Sequence, residues 1–290
     1  MKSFVIKSQI LRPHPALRPY IRYYMYFEVG AKGKWTKAGT SPTALPLLSV
    51  ALETDQLIYK RRGPREPLMF SSHFTKYTPM DVYGYTKIFN VFFQPAGAFQ
   101  LLGISQKGLN DKVINLSDLL GISALKLKEK LADQTTLADA HKVIESYLLK
   151  KLSLQRGHNS ANHLVSVVDQ IELHSHHKNV IKEICTREGY SLSKLERHMK
   201  EMVGLSPKMF QRISRFNKVL RYIGQVKPPY NWAQIAYDFG YYDQMHFIKD
   251  FSWFHGVTPG NLESIASKLQ LSIDFSGEVK TASSIFRVFK

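Results

Sequence analysis

Hydrophobic and polar positions divide the chain into two regimes. Through about the first 120 residues, apolar side chains come in short runs: YIRYYMYFEV (20–29), LPLLSVAL (45–52) and KIFNVFFQ (87–94). Turn-forming stretches separate them, among them GAKGK, RRGPREP and QPAGA. Short strands at this spacing predict a β-sandwich or small β-barrel. From about Leu116 the period changes. LSDLLGISALKLKEKLADQ and then Leu137–Leu152 place Leu and Ile three to four apart, which predicts a pair of amphipathic helices. The polar segment LSLQRGHNSAN (152–162) reads as a linker. Beyond it the pattern is helical to about Leu262, and the tail SKLQLSIDFSGEVKTASSIFRVFK has no readable period.

The second half contains an internal repeat. Ile184, Cys185, Gly189 and Tyr190 recur 51 residues later as Ile235, Ala236, Gly240 and Tyr241. After one inserted residue, Ser191 matches Asp243, Leu195 matches Phe247, Arg197 matches Lys249, Met199 matches Phe251, Gly204 matches Gly256 and Pro207 matches Pro259. Each copy holds the parts of a helix-turn-helix. A short helix carries a small residue for close approach, and a glycine stops it in the left-handed region. An aromatic plugs the corner, and Ser191 or Asp243 caps the next helix. Leu195 and Met199, or Phe247 and Phe251, form the buried stripe. The outward face is then Leu192, Ser193, Glu196, Arg197 and Lys200 in the first copy, and Gln244, Met245, Ile248 and Lys249 in the second. The N-terminal half of such a helix is the part that enters the major groove of DNA.

These motifs resemble the DNA-binding domain of the AraC/XylS family of bacterial transcription regulators over about 85 residues (178–262). The matching patterns are S-x-x-x-L-x-R-x-M with GLSP, and IA-x-x-x-GY-x-D-x-x-x-F-x-K-x-F with G-VTP. The helix MFQRISRFNKVLRYI (209–223) between them has Arg215 where the family places an arginine. The resemblance implies seven helices, a long connecting helix, and two recognition helices in successive major grooves on one face of DNA. The front segment, with HPALRPYI and VFFQPAGAFQLLGIS, resembles the cupin-like sensor domain of some family members. The fold class expected is therefore α+β with two domains. A cupin-like β-barrel or sandwich with a helical pair (residues 1–155, the barrel to about 115 and the pair over 116–152) precedes an all-α double helix-turn-helix domain (160–264) and an extension (265–290) of unassigned structure.

Charge sharpens this in one respect. The 290 residues hold 40 Lys+Arg against 23 Asp+Glu, a formal net of +17, which points to a polyanionic partner. Residues 1–157 carry 23 basic and 11 acidic groups, a net of +12. In the second half, residues 178–227 carry 12 and 4, whereas residues 228–264 carry only Lys249 against Asp238, Asp243, Asp250 and Glu263. With Lys249 where the family often has arginine, and Asp250 beside it, weaker base reading is expected of the second unit.

Individual residues suggest specific roles. Arg197 suits a bidentate contact to guanine O6 and N7, against phosphate contact or an ion pair with Glu201. Glu196 suits cytosine N4, although pairing with Lys200 is the favoured reading, and Gln244 suits adenine. Ser191, Lys208, Arg212 and Arg215 are phosphate-contact candidates, the last three shared with helix packing.

Other chemistry is not expected. His174, His176 and His177 cluster, with His158 and His163 nearby, at a helix end where imidazole suits the dipole, and no metal site is read there. The barrel has only the isolated His14 and His73, so no metal, cofactor or catalytic residue is assigned. Its aromatics (Tyr20, Tyr23, Tyr24, Phe92, Phe93) read as core, with room in a concave barrel for a small molecule. The single cysteine, Cys185, matches a buried alanine in the repeat and excludes an internal disulfide. No apolar run reaches the roughly 20 residues of a membrane span, and the N-terminus has no signal-peptide core. The expected protein is a cytoplasmic, non-enzymatic regulator of duplex DNA, its N-terminal domain sensing a ligand or mediating dimerisation. RNA polymerase, a small-molecule effector and a second copy of the chain stay open as partners. The alternative is a cupin-type enzyme fused to a DNA-targeting module.

Overall fold

The computed structural model describes residues 5–58, 67–134, 136–154, 159–262 and 286–289. The N-terminal part is one antiparallel sheet of β1 (Val5–Leu11), β2 (Ile21–Thr40), β3 (Leu47–Ile58), β4 (Leu68–Ser71), β5 (Thr78–Phe93) and β6 (Val113–Asn115). The strands lie in the order β1-β2-β5-β3-β4-β6. β2 and β5 run past the apolar segments that announced them, and β2 continues through the GAKGK stretch. Its register with β5 is irregular between Ala31 and Trp35. A strand absorbs such residues when its neighbours supply the ladder, and this overrides the local turn signal.

Alternation along β2 sorts its side chains onto two faces. Tyr24 and Tyr26 join Leu48, Val50, Phe70, Phe89, Val91 and Phe93 in a core closed by helices. Met25 and Phe27 turn the other way and pack with Ile88 and Phe92. The expected core aromatics are thus core: Tyr24 and Phe93 have no exposed surface and Phe92 has 1%, with Tyr20 and Tyr23 half-buried beside them. The covering helices are α1 (Gly97–Leu102), α2 (Leu116–Leu120), α3 (Ile122–Ala132) and α4 (Leu137–Ser153). The first expected long helix is broken into α2 and α3 at Gly121, whose φ of 54° no helix can include.

The C-terminal part comprises α5 (Asn159–Leu173), α6 (Val180–Glu188), α7 (Leu192–Met202), α8 (Pro207–Gln225), α9 (Trp232–Asp238) and α10 (Gln244–His255). They share one core around Ile184, Leu195, Phe210, Phe216, Phe247 and Phe251. Of the expected linker, residues 155–158 lie outside the described residues, and α4 and α5 reach it from either side. The tail without a readable period contributes β7 (Phe286–Phe289), which pairs antiparallel with Lys37–Thr40 of β2. The rest of the tail lies outside the described residues.

The two parts are not independent. Ser41 Oγ and His255 Nδ1, both buried, lie 3.1 Å apart. Trp253 Nε1 donates to the Thr75 carbonyl at 2.8 Å, and the Tyr77 amide donates back to the Trp253 carbonyl at 3.0 Å. Asn217 of α8 donates to the Thr43 carbonyl at 3.0 Å, and the Gln106 amide to the Glu201 carbonyl at 2.9 Å. His73 sits 1% exposed in this contact zone. Burial pushes its imidazole down to about 3, the nearby Val203 backbone opposing, so it stays neutral.

Candidate nucleic-acid interface

In the first helix-turn-helix, α6 ends at Gly189, in the left-handed region at φ 65°, with its amide on the Cys185 carbonyl. The Tyr190 amide reaches the same carbonyl at 2.9 Å, and Ser191 Oγ accepts the Lys194 amide at 3.2 Å. This start fixes the rotation of α7. Leu195 and Met199 have no exposed surface and Met202 has 8%. Leu192, Ser193, Arg197 and Lys200 are exposed, and Glu196 is half-buried on the same face. Among the described residues neither Glu196 with Lys200 nor Arg197 with Glu201 forms an ion pair, so the expected pairing of Glu196 is not made.

The structure adds residues to this surface that the repeat did not single out. Lys194 Nζ stands 5.2 Å above the Tyr190 ring, and His163 stacks on that ring at 5.5 Å. His163 Nε2 lies 2.9 Å from Glu188, which Arg187 also holds at 2.8 Å. Arg187 first, then His163, hold the Glu188 carboxyl below its ordinary range. His198 sits edge-on to Tyr190 at 6.0 Å. Its imidazole is held down by burial and then by Arg197 and Lys194. Lys194 was legible as the third residue after the N-cap. The stacking of His163 was not, because it comes from α5, outside the repeat.

The second unit is built the same way. Asn231 caps α9, the Tyr241 amide donates to the Ala236 carbonyl at 2.9 Å, and Asp243 caps α10 through the His246 amide at 2.7 Å. Phe247, Phe251 and Phe254 have no exposed surface. Gln244, Met245 and Lys249 are exposed, with Ile248 half-buried. Tyr237 on α9 and Tyr242, just before the cap of α10, are each 80% exposed.

Three sequence expectations change here. Asp250 is 3% exposed and turned inward, where Arg212 meets its carboxylate at 2.7 Å and His246 lies 3.8 Å away. It is therefore not on the surface beside Lys249, and its charge does not oppose DNA in the way the sequence count implied. Arg212, a phosphate candidate, is engaged in that pair. Arg215, another, is 7% exposed and donates to the carbonyls of Ser175 (3.2 Å) and Gly240 (3.0 Å), with its guanidinium 4.9 Å above the Tyr241 ring. It bridges the α5–α6 loop to the second turn instead of reaching outward. Of the four candidates, Lys208 is exposed, and Ser191 is exposed while capping α7.

Among the described residues no group of three or more His, Cys, Asp or Glu has the geometry to hold a metal ion, and no helix is long and apolar enough to cross a membrane. Cys185 is half-buried, and burial raises its thiol.

Residues 184–264 match a family described as a helix-turn-helix domain, and residues 9–115 match a domain of unknown function, DUF6597. Comparison with curated protein sequences finds no match. Among solved structures, the chain is similar to ToxT from Vibrio cholerae, at 10% identity with 89% of this chain and 98% of that chain covered and a TM-score of 0.44. It is also similar to unsaturated-fatty-acid-bound wild-type ToxT from strain SCE256, at 10% identity, 91% and 97% coverage and a TM-score of 0.44. A third is ToxT from strain O395 bound to (E)-4-(8-methylnaphthalen-1-yl)but-3-enoic acid, at 8% identity, 89% and 98% coverage and a TM-score of 0.45. Two capped helix-turn-helix units on one connecting helix define a DNA-binding transcription regulator. Residues 184–264 belong to the AraC-type helix-turn-helix domains.

Proposed function

We propose that α7 and α10 read base edges in two successive major grooves. The observation that carries this is the shared construction of the two units. In each, a capped helix buries one stripe and turns its N-terminal polar residues outward beside a left-handed glycine turn. Arg197 reads guanine, with Leu192, Ser193, Glu196 and Lys200 around it. Gln244 reads adenine, with Met245, Ile248 and Lys249 beside it. Lys208 and Ser191 meet phosphates. The regulator carries no catalytic chemistry of its own and works in the cytoplasm.

The sheet domain acts as sensor or dimerisation element. What supports this is where it grips its partner: the ends of both recognition helices, at Glu201 and at Trp253–His255, and Asn217 of the connecting helix. An effector or a second copy that repacks residues 41–45, 73–77 or 104–110 changes how the two helices are presented, which shifts the population able to bind DNA. The test is selection of preferred duplexes from a random pool by the full-length protein. Enrichment of a bipartite sequence that Arg197→Ala degrades at one guanine is expected. Recovery of unenriched sequence contradicts the reading.

A further inference from the structure

The histidine-rich loop between α5 and α6 has no part in the function so far, and its position is specific. Asn179 ends it and begins α6, the first helix of the first unit. Its other side presses on the turn of the second unit. A Cβ on Gly240 would lie 1.9 Å from the His176 carbonyl oxygen, so the two backbones touch there. Arg215 ties the Ser175 carbonyl to the Gly240 carbonyl, and Gln211 Nε2 donates to the carbonyls of Ser175 (3.2 Å) and His177 (2.7 Å). Lys178 Nζ stands 5.4 Å from the centre of the Tyr242 ring, one residue before the cap of α10. The loop is thus fixed at the junction of the two units, with His176, His177 and Lys178 exposed.

In helix-turn-helix docking the first helix crosses the sugar-phosphate backbone while the second enters the groove. With both units docked as proposed above, the loop that leads into α6 and abuts the Gly240 turn would face the stretch of backbone between the two grooves. We infer that residues 174–179 form a third DNA contact, a phosphate-binding element between the two recognition helices that grips more tightly as pH falls. This rests on the DNA-binding reading above.

The charged and titratable groups around the loop favour an anion. His174 and His177 lie at 5.9 Å ring to ring, and His176 and His177 at 4.3 Å. From α8 come Arg215 and Lys218, whose Nζ donates to the Leu173 carbonyl, with Arg221 nearby. Tyr241 and Tyr242 come from the turn, which Asp238 and Asp243 flank; Asp238 accepts from Gln234, Asp243 is taken up in capping α10, and the buried Asp250 is closed by Arg212. Glu172 acts on Lys218 but is itself paired with Arg22 at 2.9 Å. Burial first, then His177, Lys218, His174 and Arg215, hold the His176 imidazole below its ordinary value. A phosphate placed beside these groups reverses that bias. The DNA-bound pKa rises above the free one, so the gain in affinity is present at low pH and is lost as pH rises through the bound-state value.

The experiment measures full-length protein on two labelled probes, a random-sequence duplex and the duplex recovered by selection, across salt and at about pH 5.5 and 7.5. Wild type is expected to bind both probes several-fold more tightly at the lower pH. The double variant His176→Gln, His177→Gln should lose most of that difference on both probes. Lys178→Ala should lower the slope of log affinity against log salt by about one, and Lys178→Arg should restore it. All three positions are exposed, and unchanged thermal midpoints show that the variants fold. Variants that match wild type in both slope and pH ratio overturn the inference while leaving DNA binding intact. A wild-type protein that binds neither probe overturns the regulator reading itself.

Discussion

The Arg212 guanidinium meets the Asp250 carboxylate at 2.7 Å between α8 and α10, with the acid 3% exposed. This pair joins the connecting helix to the second recognition helix. Asp250→Ala therefore acts on stability before it acts on DNA. Loss of a buried, charge-assisted partner costs about 1–3 kcal/mol, which chemical denaturation would report. Unchanged stability with sharply altered sequence preference would instead place Asp250 on the reading face.

Gly240 and Gly189 occupy equivalent turns in the left-handed region, at φ 71° and 65°, but in different surroundings. A Cβ at Gly240 meets the His176 carbonyl oxygen at 1.9 Å, whereas at Gly189 it meets nothing within 4 Å. Gly189→Ala should cost only backbone strain, about 1 kcal/mol. Gly240→Ala should cost several times more and displace the α5–α6 loop. Equal losses in thermal unfolding would contradict the close packing.

His73 gives the fold a defined acid sensitivity. Its folded pKa, about 3, lies below the ordinary value of 6.5, so the unfolded chain binds the proton more readily. The stabilising contribution is complete above about 6.5 and is lost as pH falls toward 3. Across that window this residue alone lowers the folded-to-unfolded ratio roughly tenfold per pH unit. His73→Leu should flatten that part of the stability curve, read by denaturant titrations at several pH values. A variant with the wild-type slope would show that His73 does not carry the effect.

Trp253 touches the sheet domain, with its Nε1–H on the Thr75 carbonyl at 2.8 Å, and it lies at the far end of α10 from Gln244 and Met245. Trp253→Phe keeps an aromatic side chain, though a smaller one, and removes the donor. DNA affinity should shift by a few-fold with selected sequence unchanged, since the shift acts through domain arrangement. A changed sequence preference in the selected pool would contradict that coupling.

Much of the DNA-binding half was legible because the sequence states it twice. The pairs Ser191 and Asp243, Leu195 and Phe247, and Met199 and Phe251 each predict cap and stripe, and each is found so. What the sequence could not show was where long polar side chains turn. Arg212, Arg215 and Asp250 all sit at plausible surface positions by count, yet tertiary partners on other elements draw them inward. The ranking of the second unit below the first leaned on Asp250 as a surface charge, and that support is gone. In the sheet domain, β4 and β6 were missed because each is only three or four residues long. The contacts between the domains were missed because they join segments far apart in sequence, such as Ser41 and His255.

The central claim, two recognition helices in successive major grooves, is tested most directly by methylation-interference footprinting of full-length protein on a selected duplex. Two clusters of purines whose methylation blocks binding, on one face of the helix and about 10 base pairs apart, are predicted, and Arg197→Ala should remove a guanine from only one of them. A single cluster, or two clusters on opposite faces, would contradict the account.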